Sequence, residues 1–200
     1  MRRKQCQVTD PEAITAILER CTVGRMATIG IDGYPYITPV NYVFWRGSVY
    51  FHCARQGEKI DNILRDAKVC FEVDIPLAYL DTQFDRTKSA CQVHQFYHSV
   101  IIRGKAEIVE DIAEKVGALN ALMASHEKKE GYSAISRDAE AVAVCAVVAI
   151  RVDSLSAKSD LAQKKDDATK KRIADYLEQR NLPGDAEAAR CIRPGTPKQC

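Results

Sequence analysis

The sequence predicts a mainly β protein, an antiparallel β-barrel with peripheral helices. Segments rich in β-branched and aromatic residues recur with turn signals between them, and the helical segments among them do not follow a regular βαβ order. Neither a Gly-x-Gly-x-x-Gly nor a Walker pattern follows any strand, so a doubly wound nucleotide fold has no support. With 200 residues and 46% hydrophobic content, the chain can bury roughly 70% of the surface its unfolded form exposes, enough for one core without cross-links.

Thr9-Asp10-Pro11-Glu12 opens a helix: either Asp10 caps with Pro11 in the first helical position, or Thr9 caps with Glu12 closing a capping box. Ile14, Ile17, Leu18 and Cys21 follow at helical spacing, and Gly24 is read as the stop. From Arg25 the period changes. Residues 26–31 read as a strand, Asp32-Gly33 as a two-residue hairpin, and residues 34–45 as the partner strand. Pro35 and Pro39 cannot donate to a ladder, which puts that strand at an edge, a bulge or an open rim where ligands enter.

Arg46-Gly47 turns the chain into a strand over 48–53, after which Ile60, Ile63 and Leu64 mark one face of a helix. Residues 68–73 read as a strand and 76–95 as a long loop with at most a short helix. Residues 96–109 form one long strand, or two joined at Gly104. Asp111 caps a helix carrying Ile112, Val116, Leu119, Leu122 and Met123, and 141–152 is the last strand. After Ser154 the charge density rises: Asp166–Lys170 and Asp167–Lys171 at i,i+4 mark a solvated helix with a narrow apolar stripe of Ile173, Tyr176 and Leu177. The rest reads as a mobile tail. The chain therefore divides into a barrel domain, 1–155, and a charged C-terminal helix and tail, 156–200.

Composition excludes several function classes. The 29 Lys and Arg against 27 Asp and Glu leave a formal charge of +2, which supplies no field for nucleic acid or an anionic membrane. Eight cysteines, at 6, 21, 53, 70, 91, 145, 191 and 200, include no two within four residues of each other, so zinc knuckles and the redox Cys-x-x-Cys are absent and a reducing cytoplasm is the expected setting. Cys191 and Cys200 bracket a Pro/Gly segment, and the reading does not pair them. MRRKQCQV has no apolar stretch behind it, and the longest apolar run, AVAVCAVVAI, is half of what a spanning helix needs.

The chemistry concentrates in Thr38-Pro39-Val40-Asn41 and in YFHCARQGEKIDN, residues 50–62. Here a strand rim and a strand end precede a glycine and a helix start with Lys59 in its first turn, an arrangement suited to a phosphate, with Arg55 as a second charge. On spacing alone, Lys59 and Arg55 are equally readable as solvated surface charges.

GRMATIGIDGYPYITPVNYVFWRGSVYFHCARQGEKIDNILRDAKVCFEVD, residues 24–74, resembles the pyridoxamine 5′-phosphate oxidase-like FMN-binding split barrel, and within it the nitroimidazole-resistance branch; QFYHSVIIRGKAEIVED, residues 95–111, resembles the same branch. The resemblance implies a homodimer with FMN at the subunit interface and electron transfer from a reduced nicotinamide to a small acceptor such as a nitroaromatic. It implies that Thr38, Pro39, Val40 and Asn41 lie along the isoalloxazine and that His52 and Cys53 lie beside the ribityl-phosphate. Lys59 would contact phosphate, helped by Arg55 and the Asn62 amide, and Tyr97 and His98 would approach from the partner subunit. Two positions depart from the branch: Val93 stands where relatives often carry a tryptophan, and His98 where they carry an arginine before Ser-Val.

His52 is the one catalytic candidate, with a ligand-lining role favoured over proton chemistry. Cys91, His94 and His98 would share a helical face, but on a strand i and i+4 are ~13 Å apart, so no metal site is expected. The alternative function is an FMN or haem carrier without turnover, haem being held through His52, His94 or His98.

Overall fold

Asp10 caps the first helix, as one of the two sequence alternatives requires: its Oδ1 accepts from the Glu12 N–H at 3.2 Å, and its carbonyl takes the first helical bond, from Ile14. The structure is a computed structural model that describes residues 3–85, 87, 93–127 and 131–195. A 3₁₀ turn, Lys4–Cys6, leads to β1, Gln7–Val8, and α1, Pro11–Arg20. Then come β2, Val23–Ile29; β3, Pro35–Asn41; β4, Val43–Trp45; β5, Ser48–Cys53; α2, Glu58–Arg65; β6, Lys68–Leu80; and β7, His94–Ile108. The chain continues with α3, Ile112–His126; α4, Glu140–Val144; β8, Ala146–Asp160; α5, Asp167–Arg180; and α6, Asp185–Ile192.

The strands form one antiparallel sheet in the order β3-β2-β6-β7-β8-β5-β4, with β1 added on β8. This is the split-barrel topology that the sequence predicts. By packing, the chain divides into two compact units: residues 1–17, 74–100 and 156–200 in the first, and 18–73 and 101–155 in the second.

In the second unit, β3 and β4 stand at the two ends of the strand order and are joined through Tyr42, which is buried, donates to the Leu18 carbonyl and meets Phe71 edge-on at 4.9 Å. The predicted strand over 34–45 is therefore two strands broken at this anchor. Gly24 does not end the helix. It lies in β2 against the Phe71 ring, where a Cβ would come within 2.0 Å of ring carbon. The Asp32-Gly33 hairpin is wider than predicted, a turn closed by Gly33 N–H to Gly30 O, with Gly33 at φ +83°. Arg46 and Gly47, both at positive φ, make the two-residue turn expected between β4 and β5.

Gly104 leaves β7 as one continuous strand. A Cβ there would lie 2.1 Å from the Arg151 carbonyl of β8, so only glycine permits the approach. Buried Met26, Phe51, Phe71, Ile102 and Ile150 fill the interior, and α3 covers a second cluster in which Ala118 and Leu119 meet Tyr50, Val147 and Ala149. Each buried large apolar side chain contributes about 1.5–3 kcal/mol.

Three further expectations are corrected. The loop assigned to 76–95 begins later, because β6 runs on to Leu80; Pro76 lies beyond the 70–72 stretch that β2 pairs with, so its missing N–H breaks no bond on that side. The strand assigned to 141–152 starts at Ala146, opposite Cys53, and the alanine-rich residues before it are helical; it then continues to Asp160. The tail contains α6, docked in the first unit: Gly184, at φ +86°, brings the chain so close to Leu77 that a Cβ would sit 1.9 Å from its carbonyl oxygen. The α5 ion pairs also differ, since Asp166 is spent on capping the Thr169 N–H and Asp167 pairs with Lys170 at 3.1 Å. Among the described residues no helix is long and apolar enough to cross a membrane.

Candidate functional site

In the second unit the sheet edge presents β3. Thr38 pairs with Met26, Pro39 with Arg25, Val40 with Gly24 and Asn41 with Val23. Pro39 and Asn41 are exposed and Val40 is buried. The Thr38 hydroxyl is buried and has no hydrogen-bond partner among the described residues, a state that costs about 1–3 kcal/mol unless a ligand satisfies it.

β5 is buried from Ser48 through Phe51 and then emerges, with His52 exposed opposite Val147 and Cys53 half-buried opposite Ala146. Burial pushes the Cys53 thiol above its ordinary value, while the nearby Lys59 ammonium pulls it down. Gly57, at φ +121°, starts α2, and no side chain caps that end, so its first-turn N–H groups point out of the helix. The Lys59 ammonium sits 5.8 Å from the centre of the Phe51 ring.

Two residues of the predicted phosphate set turn elsewhere. Asn62 is buried, its amide donating to Thr28 Oγ1 at 3.0 Å and accepting from Arg65 at 2.9 Å, and so ties α2 to β2. Arg55 donates to the Ala143 carbonyl at 3.0 Å.

Tyr97 and His98 belong to the first unit. The buried His98 bonds Ser159 Oγ through Nδ1 at 2.6 Å. Tyr97 accepts from the Lys158 ammonium, which lies 4.5 Å from the centre of its ring. Beside them Asp160, 5% exposed, is paired with Arg3 at 3.0 Å, Lys158 at 3.1 Å and His94 at 3.1 Å. The sequence reading missed Ser159 and Asp160 because the charged composition after Ser154 masks the end of a strand. The signal that could have found them is the alternation in DSLSAKSD. The Cys91 and Cys200 readings lie outside the described residues. Among the described residues, no cluster of His, Cys, Asp or Glu is placed to hold a metal ion.

Burial pushes the Asp160 carboxyl up, but its bonds to Lys158 and the charges of Lys158 and His94 outweigh that and hold it below the ordinary 3.8. A depressed folded value means that this stabilisation is complete above about 3.8 and is lost as pH falls through the lower folded value. Thermal melts from about pH 5 to about pH 2 are expected to show a shallower acid decline in Asp160→Asn than in the parent. Parallel declines would show that the pairs contribute nothing.

Residues 10–159 match the profile of the pyridoxamine 5′-phosphate oxidase family. The chain belongs to that family. The matched span ends within β8, so α5 and α6 lie outside it. Among solved structures, the chain is similar to a candidate 5-nitroimidazole antibiotic resistance protein from Bacteroides thetaiotaomicron, with 25% identity, 76% of this chain and 86% of that chain covered, and a TM-score of 0.64. It is also similar to the flavocytochrome Anf3 from Azotobacter vinelandii, at 20% identity, 80% and 72% coverage and a TM-score of 0.67. A third likeness is to the FAD and heme binding protein from Mycobacterium smegmatis, at 18% identity, 84% and 79% coverage and a TM-score of 0.66. At their identities the last two bear on the fold alone. No curated protein matches the sequence.

Proposed function

We propose that this member of the pyridoxamine 5′-phosphate oxidase family binds FMN on β3 and the β5–α2 turn and works as an oxidoreductase, passing electrons from a reduced nicotinamide to a small acceptor such as a nitroaromatic. The observation that carries the reading is the buried, unpartnered Thr38 hydroxyl on an edge strand. A ligand lying along β3 would supply its missing bond and would also meet the strand's outward row of backbone groups, beside which no strand pairs among the described residues.

The α2 N-terminus and Lys59 suit the phosphate, with one partial and one full positive charge. His52, exposed at the end of β5, lines the approach beside Cys53. The proposal leaves out Asn62, whose amide is bonded within the fold, and Arg55, whose guanidinium is drawn to the Ala143 carbonyl of α4. When bound, the isoalloxazine supplies hydride and single-electron transfer, and the protein binds, orients and shields it.

Membership of the pyridoxamine 5′-phosphate oxidase family supports the flavin. A homodimer belongs to the same proposal. On β2, on β3, in the loop joining them and on α2, five apolar side chains face outward: Ile29, Ile31, Tyr34, Ile37 and Leu64, with Ile31 90% and Leu64 70% exposed. A second copy would cover them and could bring its own Tyr97 to the flavin.

The test is the absorption spectrum of the purified protein, with its chromophore identified by mass, followed by anaerobic NADH or NADPH. A flavin spectrum that bleaches is the expected result. A flavin that neither nicotinamide reduces points to a carrier, and a colourless protein that refuses added FMN overturns the reading.

A further inference from the structure

A cavity of about 350 Å³ in the second unit lies between the end of β7, the first turn of α3 and the C-terminal end of α4. Val109, Val142 and Ala146 give it an apolar wall. Against that wall stand three cations, Arg55, Lys115 and Arg137, and one carboxylate, Glu110. Lys115 is only 4% exposed. Its ammonium donates to the Cys145 carbonyl at 2.7 Å, and among the described residues no carboxylate stands within ion-pair distance of it.

A buried ammonium with one neutral acceptor keeps two N–H donors and a full charge in a place that penalises both. Arg55 and Arg137 add charge at the rim, and among the described residues neither has a carboxylate partner. Arg55 and Lys115 do reach the Ala143 carbonyl of α4 and the Cys145 carbonyl just after it, and so cap that helix. A five-residue helix offers only a fractional negative charge, however, and Arg137 takes no part in the capping. The surplus of positive charge beside an apolar wall complements a small anion with a compact apolar body.

We propose that this cavity binds a small organic anion, a carboxylate or phosphate monoester, with Lys115 on the floor and Arg55 and Arg137 at the rim. The site shares no residue with the proposed FMN set, so the two readings stand or fall separately. Calorimetric titration of the full chain, with and without FMN, uses benzoate and inorganic phosphate as probes.

Saturable binding of at least one probe that survives FMN is expected. Arg137→Ala should weaken it about 10- to 150-fold, the equivalent of one charge-assisted hydrogen bond. Lys115→Met should abolish it while leaving the melting temperature without anion unchanged or higher, because an uncompensated buried charge has been removed. Neither variant should change FMN affinity. Benzoate alone would identify a carboxylate ligand, and phosphate alone a phosphate ester. If neither probe saturates, or if binding persists unchanged in Arg137→Ala, the proposal is overturned and Arg55 and Lys115 serve as helix caps alone. Arg137 is exposed, so that variant decides the question even where Lys115→Met fails to fold.

Discussion

Arg180→Ala is expected to destabilise the protein by about 3–5 kcal/mol, the range for removing one partner of a buried ion pair. In a chain of this length that lowers the melting temperature by roughly 10 °C. Arg180 grips both oxygens of Asp185, at 2.6 and 2.9 Å, and reaches Asp81 at 2.6 Å. Asp185 is 1% exposed, and without the guanidinium its carboxylate keeps, among the described residues, only the bond from the Leu182 N–H. The Arg180 hydrogen bonds hold Asp185 below the ordinary carboxylate value; at Asp81 the Tyr176 hydroxyl is the larger influence, followed against burial by Arg180. Asp185→Asn in the Arg180→Ala background should recover much of the loss, since no buried charge is then left unpaired. Arg180→Lys should recover less, because an ammonium cannot span both carboxylates. An unchanged melting temperature in Arg180→Ala would show that this ion network adds nothing to the stability of the fold.

This network also explains what the sequence hides. The helix over Asp167–Arg180 is legible from Asp166, its charge spacing and the Ile173, Tyr176 and Leu177 stripe, all of which are local. The docking of α6 rests on Asp81 meeting Arg180 across 99 residues and on Gly184 meeting Leu77, and no window of sequence contains either pair. The same division runs through the candidate site. Pro35 and Pro39 announce an edge strand, and β3 is one, because a missing N–H is a property of the residue itself. The resemblance makes Asn62 a ligand residue one turn after Lys59, while its bond to Thr28, 34 residues earlier, forms only once β2 and α2 pack. The loop read over 76–95 misleads in the opposite way: weak periodicity hides the end of β6, where Pro76 lies beyond the 70–72 stretch that pairs with β2.

Thr38→Val and Lys59→Ala should each weaken FMN binding, but with different consequences for the protein without flavin. Valine matches threonine in shape and removes a buried hydroxyl that has no partner, so Thr38→Val should leave the flavin-free protein as stable as the parent or up to about 1–3 kcal/mol more stable. With flavin present the sign reverses, because the hydroxyl's bond to the ligand is lost. Lys59 is half-buried over Phe51 and has no ion pair among the described residues, so alanine there should leave flavin-free stability nearly unchanged. Its charge-assisted bond to phosphate corresponds to a loss of about 10- to 150-fold in FMN affinity. Riboflavin, which lacks the phosphate, separates the two roles: its affinity should fall in Thr38→Val and hold in Lys59→Ala. Equal FMN dissociation constants in the parent and both variants, measured by flavin fluorescence quenching, would remove β3 and the α2 N-terminus from the binding site. A drop in Lys59→Ala that riboflavin shares would place the lysine against the ring system and leave the phosphate to another group.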